Sequence, residues 1–232
     1  MDDPVLTARA LLRDRFPTAL AAFLAGSVLT DRRTPTSDLD IVVLLDGPPA
    51  PSRENLLYRG WPVELFVQTE AVWHSFADQE TAKRSSPLLA MCSDGMLLVD
   101  ANGLGASLQS EARKRWAAGP PQLSERERDY QRYILTDLLD DLRGCTDPAE
   151  RVYLVSHMLQ RAAELALLAG GHWLGGGKWL SRRLAAADPG LHRSLTDAAA
   201  QAIAGHTSAF AAVLTQVLDQ VGGPLWDGYA IR

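Results

Sequence analysis

Ser37-Asp38-Leu39-Asp40-Ile41-Val42-Val43-Leu44-Leu45, followed by Asp46-Gly47-Pro48-Pro49, is the stretch whose reading decides the fold. The run 41–45 is short, apolar and rich in β-branched residues, and a turn-forming segment stops it; this predicts a buried strand. Asp38 and Asp40 stand at its start, two residues apart. Side chains alternate along a strand with a period of two, so both carboxylates point to one face. Two carboxylates that close repel each other unless a cation lies between them. Hard oxygen donors in such a pair suit Mg²⁺, which is commonly held by one or two carboxylates plus substrate phosphates. Downstream, Pro62-Val63-Glu64-Leu65-Phe66-Val67 predicts a second strand carrying one acid, Glu64, in apolar surroundings. Burying a lone carboxylate is costly, so a cation shared with the aspartates of a neighbouring strand is its expected partner.

Upstream, residues 19–25 are apolar and run into Gly26-Ser27. They suit a first strand, or an apolar helix end, that enters a tight turn. Glycine there lets the backbone approach a ligand closely. The Ser27 hydroxyl and nearby backbone N–H groups are suited to holding a triphosphate; the alternative for Ser27 is a simple turn or N-cap serine.

Gly26-Ser27, ten residues, then Asp38-x-Asp40, with Ser37 directly before the first aspartate and Glu64 on a following strand, resembles the nucleotidyltransferase superfamily of DNA polymerase β type, best its small antibiotic-modifying and minimal branches. Two looser likenesses are Gly95-Met96-Leu97-Leu98-Val99-Asp100, similar to a late strand of such domains, and Gly177-Lys178-Trp179-Leu180, similar to a turn in the helical domain that often follows. Many members carry Ala-Arg-Gly shortly after the Gly-Ser, where this chain has Leu29-Thr30-Asp31. The resemblance implies an α+β fold: a small mixed sheet with flanking helices, followed by a C-terminal helical bundle. It implies transfer of a nucleoside monophosphate from a nucleoside triphosphate, taken as ATP, to an acceptor hydroxyl such as that of an aminoglycoside-like small molecule, with release of pyrophosphate. Asp38, Asp40 and Glu64 would be the catalytic acids and would hold two Mg²⁺ ions. Gly26, Ser27, Ser37 and Lys178 would contact the nucleotide. Glu64 or Glu164 would serve as general base. Two other uses of the fold stay open: a toxin–antitoxin-type enzyme acting on protein or tRNA, and an inactive interaction module.

The chain has 232 residues, 47% hydrophobic and 22% charged, enough apolar material for a core. A net charge of −5 gives no electrostatic footprint for non-specific nucleic-acid binding. Cys92 and Cys145 match no metal spacing and read as buried thiols of a reducing compartment. With no signal peptide visible and no apolar run of membrane-spanning length, a cytoplasmic, membrane-free protein is expected.

Helices are predicted at 3–15, 69–84, a turn or two at 86–91, and 102–117, with a strand at 95–99. Residues 47–52 read as a rigid, proline-rich connector outside the sheet. Gly119-Pro120-Pro121 divides a catalytic domain, 1–119, from a bundle, 122–232. There, helices are expected at 124–142, opened by a Ser124/Glu127 capping box, and at 147–169, 179–187, 189–203 and 206–221. Gly175-Gly176-Gly177-Lys178 fails as a Walker loop, because His172 and Trp179 occupy required glycine and hydroxyl positions. Arg151 and His157 lie about 120° apart on a helix, so their likeness to an RNase motif is read as chance. Asp137, Asp140 and Asp141 share a helix face, either a solvated surface or a match for a cationic substrate. Arg32 and Arg33 are either surface residues or phosphate contacts.

Overall fold

The computed structural model describes residues 3–230, in two compact units divided between Gly119 and Pro120. The first unit opens with helix α1, Pro4–Arg15, whose first turn is capped by the Asp3 carboxylate accepting from the Leu6 N–H at 2.9 Å. Five strands follow: β1, Ala21–Ala25; β2, Leu39–Leu44; β3, Ser52–Tyr58; β4, Trp61–Gln68; and β5, Met96–Asp100. Between β4 and β5 lie α2, Glu70–Ala82, capped by Thr69, and α3, Pro87–Asp94, capped by Ser86; α4, Leu104–Ala118, closes the unit.

The sheet order is β3-β4-β2-β1-β5. β2 and β4 run parallel and every other pair is antiparallel, so the sheet is mixed and the unit is α+β. The pleat sorts the side chains. Ala22, Leu24, Ile41, Val43, Leu65 and Val67 point to one face, in a single apolar cluster with Ala8, Leu11 and Leu12 of α1 and with Phe16 just after it. The alternate positions, Ala25, Asp40, Val42, Glu64, Phe66 and Gln68, share the other face. The same strand period therefore builds half the core and aims both strand-borne acids away from it.

β3 corrects one reading. The proline-rich connector ends at Pro51, and Ser52 already begins a strand that pairs antiparallel with β4. The two are joined by Arg59-Gly60, both at positive φ (51° and 81°), the geometry of a two-residue hairpin turn. β3 escapes hydropathy patterning because it is an edge strand exposed over most of its length, and Ser-Arg-Glu-Asn shows no apolar alternation.

In the second unit, the described residues form α5, Glu125–Gly144; α6, Pro148–Ala169; α7, Lys178–Ala187; α8, Pro189–Ile203; and α9, Ser208–Asp219. The Ser124/Glu127 capping box is formed in both directions. Leu135, Leu139 and Leu142 of α5, Val155, Met158 and Leu165 of α6, Leu184, Leu195, Phe210 and Leu214 make one core. The buried stripe of α5 is thus centred on Leu135, and Tyr130 lies outside it at 40% exposure. After α9 the chain turns back along α5. Arg132 donates to the carbonyls of Gly222 and Gly223 at 2.6 and 2.8 Å, and the Tyr133 ring stacks on Trp226 and Tyr229. No helix among the described residues is long and apolar enough to cross a membrane.

The two cysteines differ in environment. Cys92 on α3 is fully buried and accepts from the Trp73 indole N–H at 3.3 Å; burial pushes its thiol up to about 12. Cys145 is only half-buried, because it caps α5 in the loop to α6. A thiol titration with Ellman's reagent at neutral pH is therefore expected to find one reactive cysteine in the native protein and two in guanidinium. Two rapidly reacting thiols in the native state would contradict the burial of Cys92.

Candidate functional site

The parallel register of β2 and β4 sets Asp40 beside Glu64. Asp38, two residues earlier, precedes the first strand residue, Leu39, and its side chain falls on the same side. One carboxylate oxygen from each of Asp38, Asp40 and Glu64 lies within 4.8 Å of the other two, and all three residues are half-buried. The three acids expected from the sequence are therefore together. Three negative charges at this spacing repel by about 3 kcal/mol per pair at an effective dielectric of 20 and about 1 kcal/mol in water, so the arrangement calls for positive charge. The donors are all carboxylate oxygens, the set that Mg²⁺ favours over softer metals. The residues present thus fit a divalent cation.

β1 ends at Ala25, paired to Asp40, and the chain then turns through Gly26 into a single 3₁₀ turn, Ser27–Leu29. Gly26 has φ 89° and ψ −174°, a region that is essentially glycine's alone. A second constraint acts on the same residue: a Cβ at position 26 would collide with the Asp40 carboxylate. Glycine is therefore fixed by backbone conformation and by the closeness of the Asp40 carboxylate. The Ser27 hydroxyl is 2.7 Å from that of Ser37, and the Ser37 hydroxyl accepts the Thr34 N–H at 2.9 Å. Ser37 is buried, so it stands behind Ser27 and ties the 30–37 loop to the Gly26 turn. Arg33 in that loop lies 4.8 Å over the ring of Trp61, the first residue of β4; Arg32 is exposed.

Two other residues singled out from the sequence lie in the second unit, outside the carboxylate cluster. Lys178 is the exposed first residue of α7. Glu164 lies on α6, where it accepts from the Gln160 amide at 2.8 Å and faces Arg161 at 3.9 Å. A groove of about 820 Å³ in that unit is lined by Asp140, Asp141, Glu150, Tyr153 and His157 among others. Asp140 is paired with Arg143 there.

Arg53 is the residue that sequence reasoning missed. It reaches from β3 to Glu64, its Nε donating to Oε1 at 2.8 Å and a second guanidinium N–H to the same oxygen. The signal was the dipeptide Arg59-Gly60. A two-residue turn there pairs Tyr58 with Trp61, hence Arg53 with Phe66, and so puts Arg53 on the face of Glu64.

Residues 7–82 match the family model described as nucleotidyltransferase domain, a span that holds Gly26, Ser27 and all three acids and supports the nucleotidyltransferase superfamily. Among solved structures, the chain is similar to a nucleotidyltransferase-like protein from Exiguobacterium sibiricum 255-15, at 15% identity and a TM-score of 0.46, over 94% of this chain and 77% of that one. No curated protein matches the chain.

Proposed function

From the nucleotidyltransferase domain at residues 7–82, we propose that the protein moves a nucleoside monophosphate from ATP to an acceptor hydroxyl in a Mg²⁺-dependent reaction. The observation that carries this reading is the convergence of the Asp38, Asp40 and Glu64 oxygens within 4.8 Å, beside the turn at Gly26. Asp38, Asp40 and Glu64 would hold two Mg²⁺ ions, which when bound supply Lewis-acid stabilisation of the charge developing on the phosphoryl oxygens.

The chain's own residues account for the rest. Gly26 lets the turn come close to Asp40, and the Ser27 hydroxyl, steadied by Ser37, donates to the phosphate oxygens of the triphosphate. The acceptor oxygen attacks the α-phosphorus, the bond from that phosphorus to the bridging oxygen breaks, and pyrophosphate leaves in line. Glu64 takes the proton of the acceptor hydroxyl.

The acceptor we favour is a cationic small molecule of aminoglycoside type. The balance of 28 acidic against 23 basic residues suits a cationic acceptor. A nucleic-acid acceptor would want a basic surface instead, and the chain carries a net charge of −5. We place the protein in the cytoplasm, where ATP, Mg²⁺ and reduced thiols such as Cys92 and Cys145 coexist.

Isothermal titration with non-hydrolysable ATP and GTP analogues, with and without Mg²⁺, tests the reading. Binding should require Mg²⁺ and disappear in the Asp38→Ala/Asp40→Ala protein. Nucleotide binding that ignores both Mg²⁺ and this double substitution would overturn it.

A further inference from the structure

We propose that Arg53 is a built-in counter-ion for Glu64 that an entering divalent cation has to displace, so that metal loading of the site is coupled to release of this side chain. The inference rests on the reading of the three acids as a cation site and names a control within it.

Three features carry it. First, both N–H contacts of the guanidinium go to one oxygen, Glu64 Oε1. The usual fork-to-fork pairing would spread over both oxygens. Here a single acceptor is taken up, and it belongs to the carboxylate that completes the cluster. Second, the two partners differ in exposure. The Arg53 side chain is 67% accessible and that of Glu64 19%, so the cation can leave into solvent while the acid stays in place. Third, Glu64 is not the only group that holds Arg53. Its Cζ lies 4.9 Å over the ring of Phe66, its cross-strand partner, on the same sheet face as Glu64. That ring offers a cation–π platform beside the acids. A guanidinium and a divalent cation cannot share one carboxylate oxygen without bringing like charges together, so occupancy by one works against the other.

The competition is measurable without turnover. Mn²⁺ binding to the full chain, in the absence of nucleotide, is followed by the electron paramagnetic resonance signal of free Mn²⁺ for wild type, Arg53→Ala, Glu64→Gln and Arg53→Ala/Glu64→Gln. Arg53→Ala is expected to bind roughly three- to tenfold more tightly than wild type, the range set by losing one partly exposed competing charge. In the Glu64→Gln background the same substitution should bring no gain, because Arg53 acts through that carboxylate. A gain that persists in the Glu64→Gln background would mean that Arg53 acts only as a nearby positive charge, and the inference falls. Unchanged or weaker Mn²⁺ binding by Arg53→Ala also overturns it, while the cation site stands so long as Asp38→Ala abolishes binding. Failure of wild type and Arg53→Ala alike to bind Mn²⁺ would remove the cation site itself. Arg53→Gln repeats the comparison should the alanine variant fold poorly.

Discussion

Asp40→Asn is expected to lower nucleotidyl transfer at least a thousandfold, yet to leave the melting temperature unchanged or higher. The two effects have one cause. Asp40 sits at the centre of the cluster, beside Glu64 through the strand register and two residues from Asp38. In the proposed mechanism, removing its charge takes away a ligand from the ions that would stabilise the transition state, an effect of several kcal/mol, and each 1.36 kcal/mol is about tenfold in rate. In the metal-free protein the same charge is a liability. It lies within 4.8 Å of two others, and relieving that repulsion returns on the order of 1 kcal/mol, since the groups are partly solvated and Arg53 already offsets some of it. Asparagine keeps the shape and a hydrogen-bonding oxygen, so the strand is not disturbed. Turnover of an α-labelled nucleoside triphosphate and thermal melts without divalent ions test both halves. Wild-type turnover in Asp40→Asn would sink the proposed mechanism; a large drop in melting temperature would show that the cluster is stabilising as it stands.

Gly26→Ala should fail in the opposite manner, losing stability and activity together. Alanine at φ 89° and ψ −174° costs about 1–3 kcal/mol in backbone strain. The added methyl would also press on the Asp40 carboxylate. Something must move, and either the turn swings away from the acids or Asp40 rotates out of the cluster. A displacement of about 1 Å at a reacting centre is enough for roughly a hundredfold loss of rate. We expect a melting temperature lowered by several degrees and transfer reduced at least a hundredfold, with weaker Mg²⁺-dependent nucleotide binding. If Gly26→Ala kept the wild-type melting temperature and turnover, the close approach of this turn to Asp40 would have no functional weight. Measured side by side, the two variants separate a residue that works by charge from one that works by leaving space.

Much of this site was legible in the sequence because its signals are local. Asp38 and Asp40 are two residues apart on a strand that announces itself through Ile41-Val42-Val43, and period two alone puts them on one side. Glu64 required one further step, that its strand lies next to theirs, and the parallel pairing of β2 with β4 provides it. What escaped was non-local or unpatterned. The exposed edge strand β3 has no hydrophobic face to betray it, so Arg53 went unnoticed, although the Arg59-Gly60 turn was in plain view. Cysteine is usually buried, yet Cys145 is only half-buried, because its place in an interhelical loop depends on where α5 ends. The return of residues 222–229 along α5 depends on Arg132 and Tyr133, some ninety positions upstream, and no short-range pattern encodes such a pairing.

The register of β4 against β2 also bears on how errors in folding are punished. Slide β4 by one residue and the pleat inverts: Glu64 would leave Asp40 and enter the apolar layer with Ile41, Val43 and α1. A carboxylate stranded there, with no counter-charge, is among the costliest mistakes a sheet can make. Hydrophobic strands as uniform as Ile41-Val42-Val43-Leu44 would otherwise tolerate slippage, since valine and leucine pack acceptably on either side. The acid at position 64 is thus also a proofreader of the fold, rejecting the misaligned sheet whatever the site later binds.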